Sequence, residues 1–393
     1  MKNLPITYLL LLLFPGTLCF GQNTYPLWQE MEAGRYHVGF KTIELVDSSR
    51  TTGPKYDENG TINENRFFPI QISIWYPTDA EWDQERACRF KAYFYKTAQK
   101  NDFAELSAEQ RENAMEIFSS FAKFGFKVEL SAAQLEAIGN TATAALPEAP
   151  PVGGKFPVIL AGHDGGVWKM STLSEYLASH GYVVISTGLL SQTSRLFRQS
   201  PQIAINRRIR TFEILRGMLR HFDFVDEDQS GLLGLNADGM STLLYQMKNL
   251  EAEAIVNIDG WDGKNNGNGY VSNSIYFNPD NIQVPFAEFH QHEDPPNESL
   301  QLNTAIFDSL SRIDRFSFVL QEFGHAPLTG NMIALPELPE KVVAQHNFWF
   351  TFIKSFFDVY LKGDRDQRAD LWKMSDADAP LFQKNERIRA ERK

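Results

Sequence analysis

Three short stretches hold residue types that could do chemistry together. In "GLLGLNADG", from Gly231 to Gly239, an apolar run breaks into a helical pattern at Asn236. Such a strand-to-helix turn presents a reactive side chain when its apex sits at positive φ between small neighbours. Gly234 is the small neighbour two positions before, and asparagine adopts positive φ more readily than most residues. On the far side Asp238 stands where a second glycine is expected, and Gly239 follows it. "NIDGWDG" puts Asp259 directly after a second apolar run, and "EFGHAPLTG" puts His325 after a third. A carboxylate that orients an imidazole is the support a nucleophile needs, and the order apex, acid, base along the chain suits it. Asn236 interrupts that scheme. A carboxamide is not nucleophilic enough to attack an ester, and a neighbouring imidazole cannot activate it at neutral pH. Ser241 offers no substitute, because it falls inside the following helix.

Other chemistry-bearing residues lie nearby. "GHDGGVW", from Gly162 to Trp168, sets glycines just after a buried strand, where backbone N–H groups can face a cavity and hold a developing oxyanion. A plain tight turn would use the same glycines. Trp168 and Trp261 flank this region and would line an acyl or aromatic pocket, although tryptophan near a strand end is as often core. "FHQHED" spaces His290 and His292 two apart, with Glu293 and Asp294 following. Metal ligation is one reading of it, and a polar strand end passing into the "DPPN" turn is the preferred one.

The surrounding pattern shows what must position these groups. "YHVGFKTIELVD" and "FPIQISIWYPT" alternate apolar and polar residues and predict two antiparallel strands. Helical spacing follows from Ala80 to about Gly139, with Ser107 and Ser131 each three residues before a glutamine, a capping-box signature. Beyond a proline- and glycine-rich break, strands and helices alternate. The strands are "FPVILAGH", "YVVISTG", "SGLLGLN", "EAIVNID", "VPFAEFH" and "RFSFVLQEF", and a long final helix spans "VVAQHNFWFTFIKSFFDVYL". The class is α/β: a mostly parallel sheet with helices on both faces, antiparallel N-terminal strands and a helical insertion. Its chemistry belongs at the carboxyl ends of the strands.

Whole-chain properties bound the function. With 393 residues, 43% hydrophobic and 13% aromatic, the chain can bury a large core and is too apolar for disorder. Its net charge of -11 is spread along the sequence, which argues against nucleic acid or an anionic membrane surface as partner. The start, "MKNLPITYLLLLLFPGTLCFGQ", has the layout of a cleaved signal over residues 1–21, and no apolar run reaches the length of a membrane-spanning helix. A single domain over 22–393 is expected, with the insertion or lid at about 80–150, in a secreted or periplasmic protein. Removal of the signal takes Cys19 with it and leaves Cys88 without a disulfide partner. "KNERIRAERK" reads as a solvated helix end or tail.

Taken together, "GRYHVGFKTIELVD", "IWYP", "KFPVILAGHDGG", "YLASHGYVVIS", "LLGLNADG", "NIDGW", "FGHAPLTG" and "YLKGD" resemble the platelet-activating-factor acetylhydrolase group, close to the dienelactone hydrolases within the α/β-hydrolase superfamily. The resemblance runs from about Gly34 to the C-terminal region and is interrupted by the insertion. It implies a lipase-like serine esterase that cleaves short acyl groups from a small-molecule or lipid ester, with no metal or cofactor. Asp259 would then be the acid and His325 the base, and Gly165 and Ala237 would offer oxyanion-hole amides. The family's serine falls on Asn236. Asp164 and Asp238 also depart from the family's glycines and would put carboxylates near a site meant to stabilise negative charge. Two readings stay open. One is a protein impaired as a serine esterase that retains a ligand pocket. The other is an active hydrolase that uses water activated by His325 and Asp259, or an unconventional nucleophile such as an aspartate formed from Asn236. Ala237 after Asn236 disfavours that deamidation.

Overall fold

A computed structural model describes residues 25–28, 31–100, 102–163, 165–188, 200–291, 298–320, 324, 327–375 and 389–391. The signal-like segment, Asp164, His292, Glu293, Asp294 and His325 lie outside the described residues.

Ten strands form one sheet in the order β10-β9-β8-β7-β6-β4-β5-β2-β1-β3. β1 (His37–Thr51) and β2 (Phe67–Thr78) pair antiparallel, as their alternation predicts. β4 (Phe156–His163), β5 (Val183–Thr187), β6 (Val225–Leu235), β7 (Ala254–Ile258), β8 (Phe286–Gln291) and β9 (Arg315–Leu320) are mutually parallel. The sequence did not mark the two edges. β3 (Ala145–Pro147) lies parallel to β1, inside the stretch read as a helix break. β10 (Arg389–Glu391) pairs antiparallel with β9, so this part of the expected solvated tail is an edge strand.

Each central strand sends alternate residues to opposite faces, which is why it reads as a continuous apolar run. Ile159, Ala161, Leu233, Leu235, Val256 and Ile258 enter one core, and Val158, Leu160, Leu232 and Ile255 enter the other. The insertion holds α1 (Phe90–Ala98), α2 (Ala108–Ala114), α3 (Glu116–Phe126) and α4 (Ala132–Asn140). α2 and α4 start with complete capping boxes at Ser107 and Ser131, as their spacing predicts. α5 (Ser171–Ser179) joins the first core. α6 (Pro201–Met218) and α7 (Asp238–Asn249) cover the second. α8 (Asn265–Ser272) and α9 (Ala305–Ser309) are short connections, and α10 (Glu340–Tyr360) closes the first core with Trp349, Phe352, Ile353 and Phe356. α11 (Arg368–Met374) packs beside it.

β4 neighbours both β5 and β6, so the chain leaves β4 toward one side of the sheet and returns on the other. A crevice opens at such a reversal, outside the carboxyl ends of the two strands. The loop bearing Gly165 follows β4, and Asn236 follows β6.

Candidate active site

The register aligns the strand ends in a row. His163 pairs with Leu235, Leu235 with Ile258, and Ile258 with Phe289. Asn236, Asp259 and His290 are therefore consecutive neighbours one residue beyond that line. β9 ends at Leu320, and His325 comes five positions later along the chain, outside the described residues.

Asn236 sits at φ 57°, the left-handed conformation that the turn requires. Its N–H donates to the Ile258 carbonyl at 2.9 Å, and its own carbonyl accepts from Gly239 at 3.0 Å and Trp261 at 3.2 Å. These bonds tie the apex to β7 on one side and to the first turn of α7 on the other. Close packing explains the two glycines. A methyl group at Gly234 would lie 2.8 Å from Asn257 Oδ1, and one at Gly239 would lie 2.2 Å from Asp262 Oδ1. The turn thus needs glycine two positions before the apex and three after it, which leaves position 238 open to a larger residue.

Asp238 uses that freedom. Its side chain is fully buried in the first turn of α7, where a negative charge opposes the positive end of the helix dipole. Arg208 of α6 donates through Nε to Asp238 Oδ1 at 2.9 Å, through Nη1 to the Thr187 carbonyl at 3.0 Å and hydroxyl at 2.6 Å, and through Nη2 to the His163 carbonyl at 2.9 Å. One buried guanidinium therefore joins the ends of β4 and β5 to the start of α7. A methyl group at Gly162 would lie 3.2 Å from Asp238 Cβ, so that glycine makes room for the carboxylate. The sequence-based concern that Asp238 would repel a developing anion needs correction, because its charge is matched within hydrogen-bonding distance.

Asp259 is also fully buried and lies at φ 46°. Lys264 Nζ meets its Oδ2 at 3.0 Å, and the Gln291 N–H reaches its Oδ1 at 3.4 Å. Beneath it lies a second buried polar group. Asn257 donates to the Gly239 carbonyl at 3.1 Å and to Asp262 Oδ2 at 3.0 Å, and accepts from the Thr242 hydroxyl at 2.7 Å. Burial, reinforced by Glu288, pushes the Asp262 carboxyl up to about 6. His290 Nε2 lies 3.0 Å from Glu288 Oε1 in an ion-pair contact. Burial disfavours the imidazolium, but Glu288, Asp259 and Asp262 together outweigh it and raise the His290 pKa above its usual value. His292, Glu293 and Asp294 of "FHQHED" lie outside the described residues. Among the described residues no group of three His, Cys, Asp or Glu side chains is placed to hold a metal ion.

The two tryptophans separate. Trp261 is half-buried, and its backbone N–H supports the apex. Trp168 has no exposed surface; it stacks on Phe94 of α1 with centroids 5.0 Å apart and meets Phe121 of α3 edge-on at 5.1 Å. Trp168 is thus a packing residue between the insertion and the sheet, and not the wall of an open pocket. Gly165 is half-buried, with the buried Lys169 side chain drawn across it so that an added methyl would lie 2.8 Å from Lys169 Cε. Ala237, at the start of α7, is buried with helical φ and ψ. Sequence reasoning missed Arg208, Asn257 and Lys264. Arg208 lies 30 positions from its carboxylate partner, and nothing local singles it out.

A solved structure of a ferulic acid esterase from Streptomyces cinnamoneus superimposes on 86% of this chain and 96% of its own, with a TM-score of 0.55 and 16% sequence identity. The chain has the α/β-hydrolase fold. At this identity the likeness establishes architecture alone, and the chemistry rests on the residues. No protein-family model and no curated protein matches the sequence.

Proposed function

We propose that this α/β-hydrolase-fold protein is exported, is related to carboxylic ester hydrolases of the platelet-activating-factor acetylhydrolase and dienelactone hydrolase kind, and is impaired as a serine esterase while it keeps a site for a small ester-like ligand. The observation that carries the reading is Asn236 at the apex, at φ 57°, beside Asp259 on the next strand. The backbone device for presenting a nucleophile is intact, and a carboxamide occupies it. In the reading, Asp259 orients His325, and the amides of Gly165 and Ala237 face a ligand carbonyl. The signal-like N-terminus supports export, and the sequence motifs support the finer family likeness.

Hydrolysis through water activated by His325 and Asp259, or through an unconventional nucleophile, is the second reading, and turnover by the native protein in the comparison below would favour it.

Native protein and Asn236→Ser are to be compared on short p-nitrophenyl esters, on a ferulic acid ester and with a fluorophosphonate probe. The expected result is labelling and turnover in Asn236→Ser alone. A scaffold without its serine retains about 10³ to 10⁴ over the uncatalysed rate, far below an ordinary esterase. Native turnover near 10 s⁻¹, roughly the median for enzymes, would overturn the reading.

A further inference from the structure

Three asparagines in this chain directly precede a glycine: Asn59, Asn266 and Asn268. Glycine has no Cβ to shield its backbone nitrogen, so in each pair that nitrogen can approach the side-chain carbonyl of the asparagine before it. The backbone decides whether it does, and the fold treats the three pairs differently.

Asn266 and Asn268 lie in α8, where a helical ψ of about −42° directs the side chain away from the next backbone nitrogen. Gly267 is buried, and a methyl group there would lie 1.8 Å from the Trp261 carbonyl oxygen, so the chain cannot swing at this point without displacing Trp261. The Asn268 N–H donates to the Lys264 carbonyl at 2.8 Å, which fixes the same turn from within.

Asn59 stands instead at the tip of the loop between β1 and β2. An isolated bridge between Tyr56 and Ile62 closes the tip, and Asp57 organises it. The Asp57 N–H donates to the Thr61 carbonyl at 2.8 Å, and Asp57 Oδ1 accepts from the N–H groups of Asn59 and Thr61, each at 2.9 Å. These bonds hold the main chain and leave the Asn59 carboxamide with no hydrogen-bond partner among the described residues. Asn59 and Gly60 are both exposed. Gly60 takes φ 78°, and no atom lies within 4 Å of where its Cβ would stand. Its N–H donates to the Asp57 carbonyl at 3.0 Å. Freeing the nitrogen therefore means opening one exposed bond at a loop tip, where local opening costs little.

We propose that Asn59 is a site of self-modification, at which the Gly60 backbone nitrogen displaces the side-chain amine and water opens the resulting imide to aspartate and isoaspartate. The Gly60 nitrogen attacks Asn59 Cγ and closes a five-membered imide. The bond from Cγ to Nδ2 breaks, and Nδ2 leaves as ammonia with the proton from Gly60. One water then adds to either imide carbonyl. Opening on one side restores the main chain and leaves an aspartate, and opening on the other routes the main chain through the side-chain methylene as isoaspartate. Water is the only co-reactant.

Both products add a carboxylate next to Asp57 and Glu58. Isoaspartate also lengthens the main chain inside the span from 57 to 61 that Asp57 ties together, so the tip should loosen. The pairing of β1 with β2 from His37 opposite Thr78 to Asp47 opposite Phe68 lies outside that span, which keeps the change local. The proposal is independent of the functional reading of Asn236, Asp259 and His325.

The test ages the full native chain in mildly alkaline buffer and follows it by peptide mass mapping. Isoaspartyl methyltransferase with labelled S-adenosylmethionine gives the second readout. The peptide that contains Asn59 should gain the mass of an amide-to-acid exchange, together with a methylatable isoaspartate. It should do so about tenfold or more ahead of the peptide spanning 265–270, because α8 must first open locally. Unfolding in urea should erase that lead, since all three pairs then share a free backbone. Gly60→Ala should slow the conversion by placing a methyl group beside the attacking nitrogen, and Asn59→Gln should show none. An unshifted Asn59 peptide, earlier conversion at Asn266 or Asn268, or an aspartate product without isoaspartate overturns the proposal. The same digest reads the Asn236 peptide separately, so conversion at one position is never mistaken for conversion at the other.

Discussion

Replacing Asp238 with glycine would place glycine two positions on either side of Asn236, and the structure predicts that it will damage the protein. Asp238 has no exposed surface, and Arg208 is 2% exposed. Removing the carboxylate leaves a buried guanidinium still bonded to two carbonyls and a hydroxyl, with no other ion-pair partner among the described residues. Breaking a buried pair from one side costs about 3 to 5 kcal/mol. Loss of an acidic residue from the first turn of α7 adds up to about 1 kcal/mol. Glycine in that turn adds a similar amount against the helix. The hydrogen bonds that Arg208 keeps offset part of this, so Asp238→Gly should destabilise by about 4 kcal/mol. Urea denaturation followed by tryptophan fluorescence measures it. Arg208→Met combined with Asp238→Gly removes both charges and should recover much of the loss, because exchanging a whole buried pair for apolar groups is often close to neutral. A single variant within about 1 kcal/mol of native, or a double variant no better than the single, would refute the reasoning. Both outcomes would mean that the pair holds nothing together.

Two further predictions concern the acid side of the site. The Asp262 carboxyl binds its proton more tightly when folded, at about 6 against 3.8, so stability should fall as the pH rises between those values, by up to about 3 kcal/mol. Asp262→Asn should flatten that slope in thermal melts from pH 4 to 7, and an unchanged slope would count against burial as its cause. Lys264→Met removes the cation 3.0 Å from the buried Asp259 carboxylate and should cost about 3 to 5 kcal/mol in the same urea denaturation, and a loss below about 1 kcal/mol would count against the pair.

The central strands were legible because both of their faces are covered, which makes runs such as Val158 to Ala161 apolar throughout. The short edges β3 and β10 were not, since three residues cannot display a period. The turn at Asn236 was legible because a backbone at positive φ leaves a local mark in glycine and asparagine. Its electrostatics were not. Asp238 read by itself is a carboxylate beside an anion site, and its neutralisation depends on a helix that arrives from elsewhere in the chain. Trp168 stayed open between pocket and core for a similar reason: proximity along the chain to a glycine loop cannot tell that α1 and α3 come down on its ring.

The Arg208–Asp238 pair also constrains what this lineage can become. Asn236 lies at a turn that serine can also occupy, so a hydroxyl at the apex is one amino-acid substitution away. The flanking glycine is not. Asp238 and Arg208 entrench one another, because each makes loss of the other deleterious. Any new chemistry at position 236 would have to work in a turn whose far side cannot change alone.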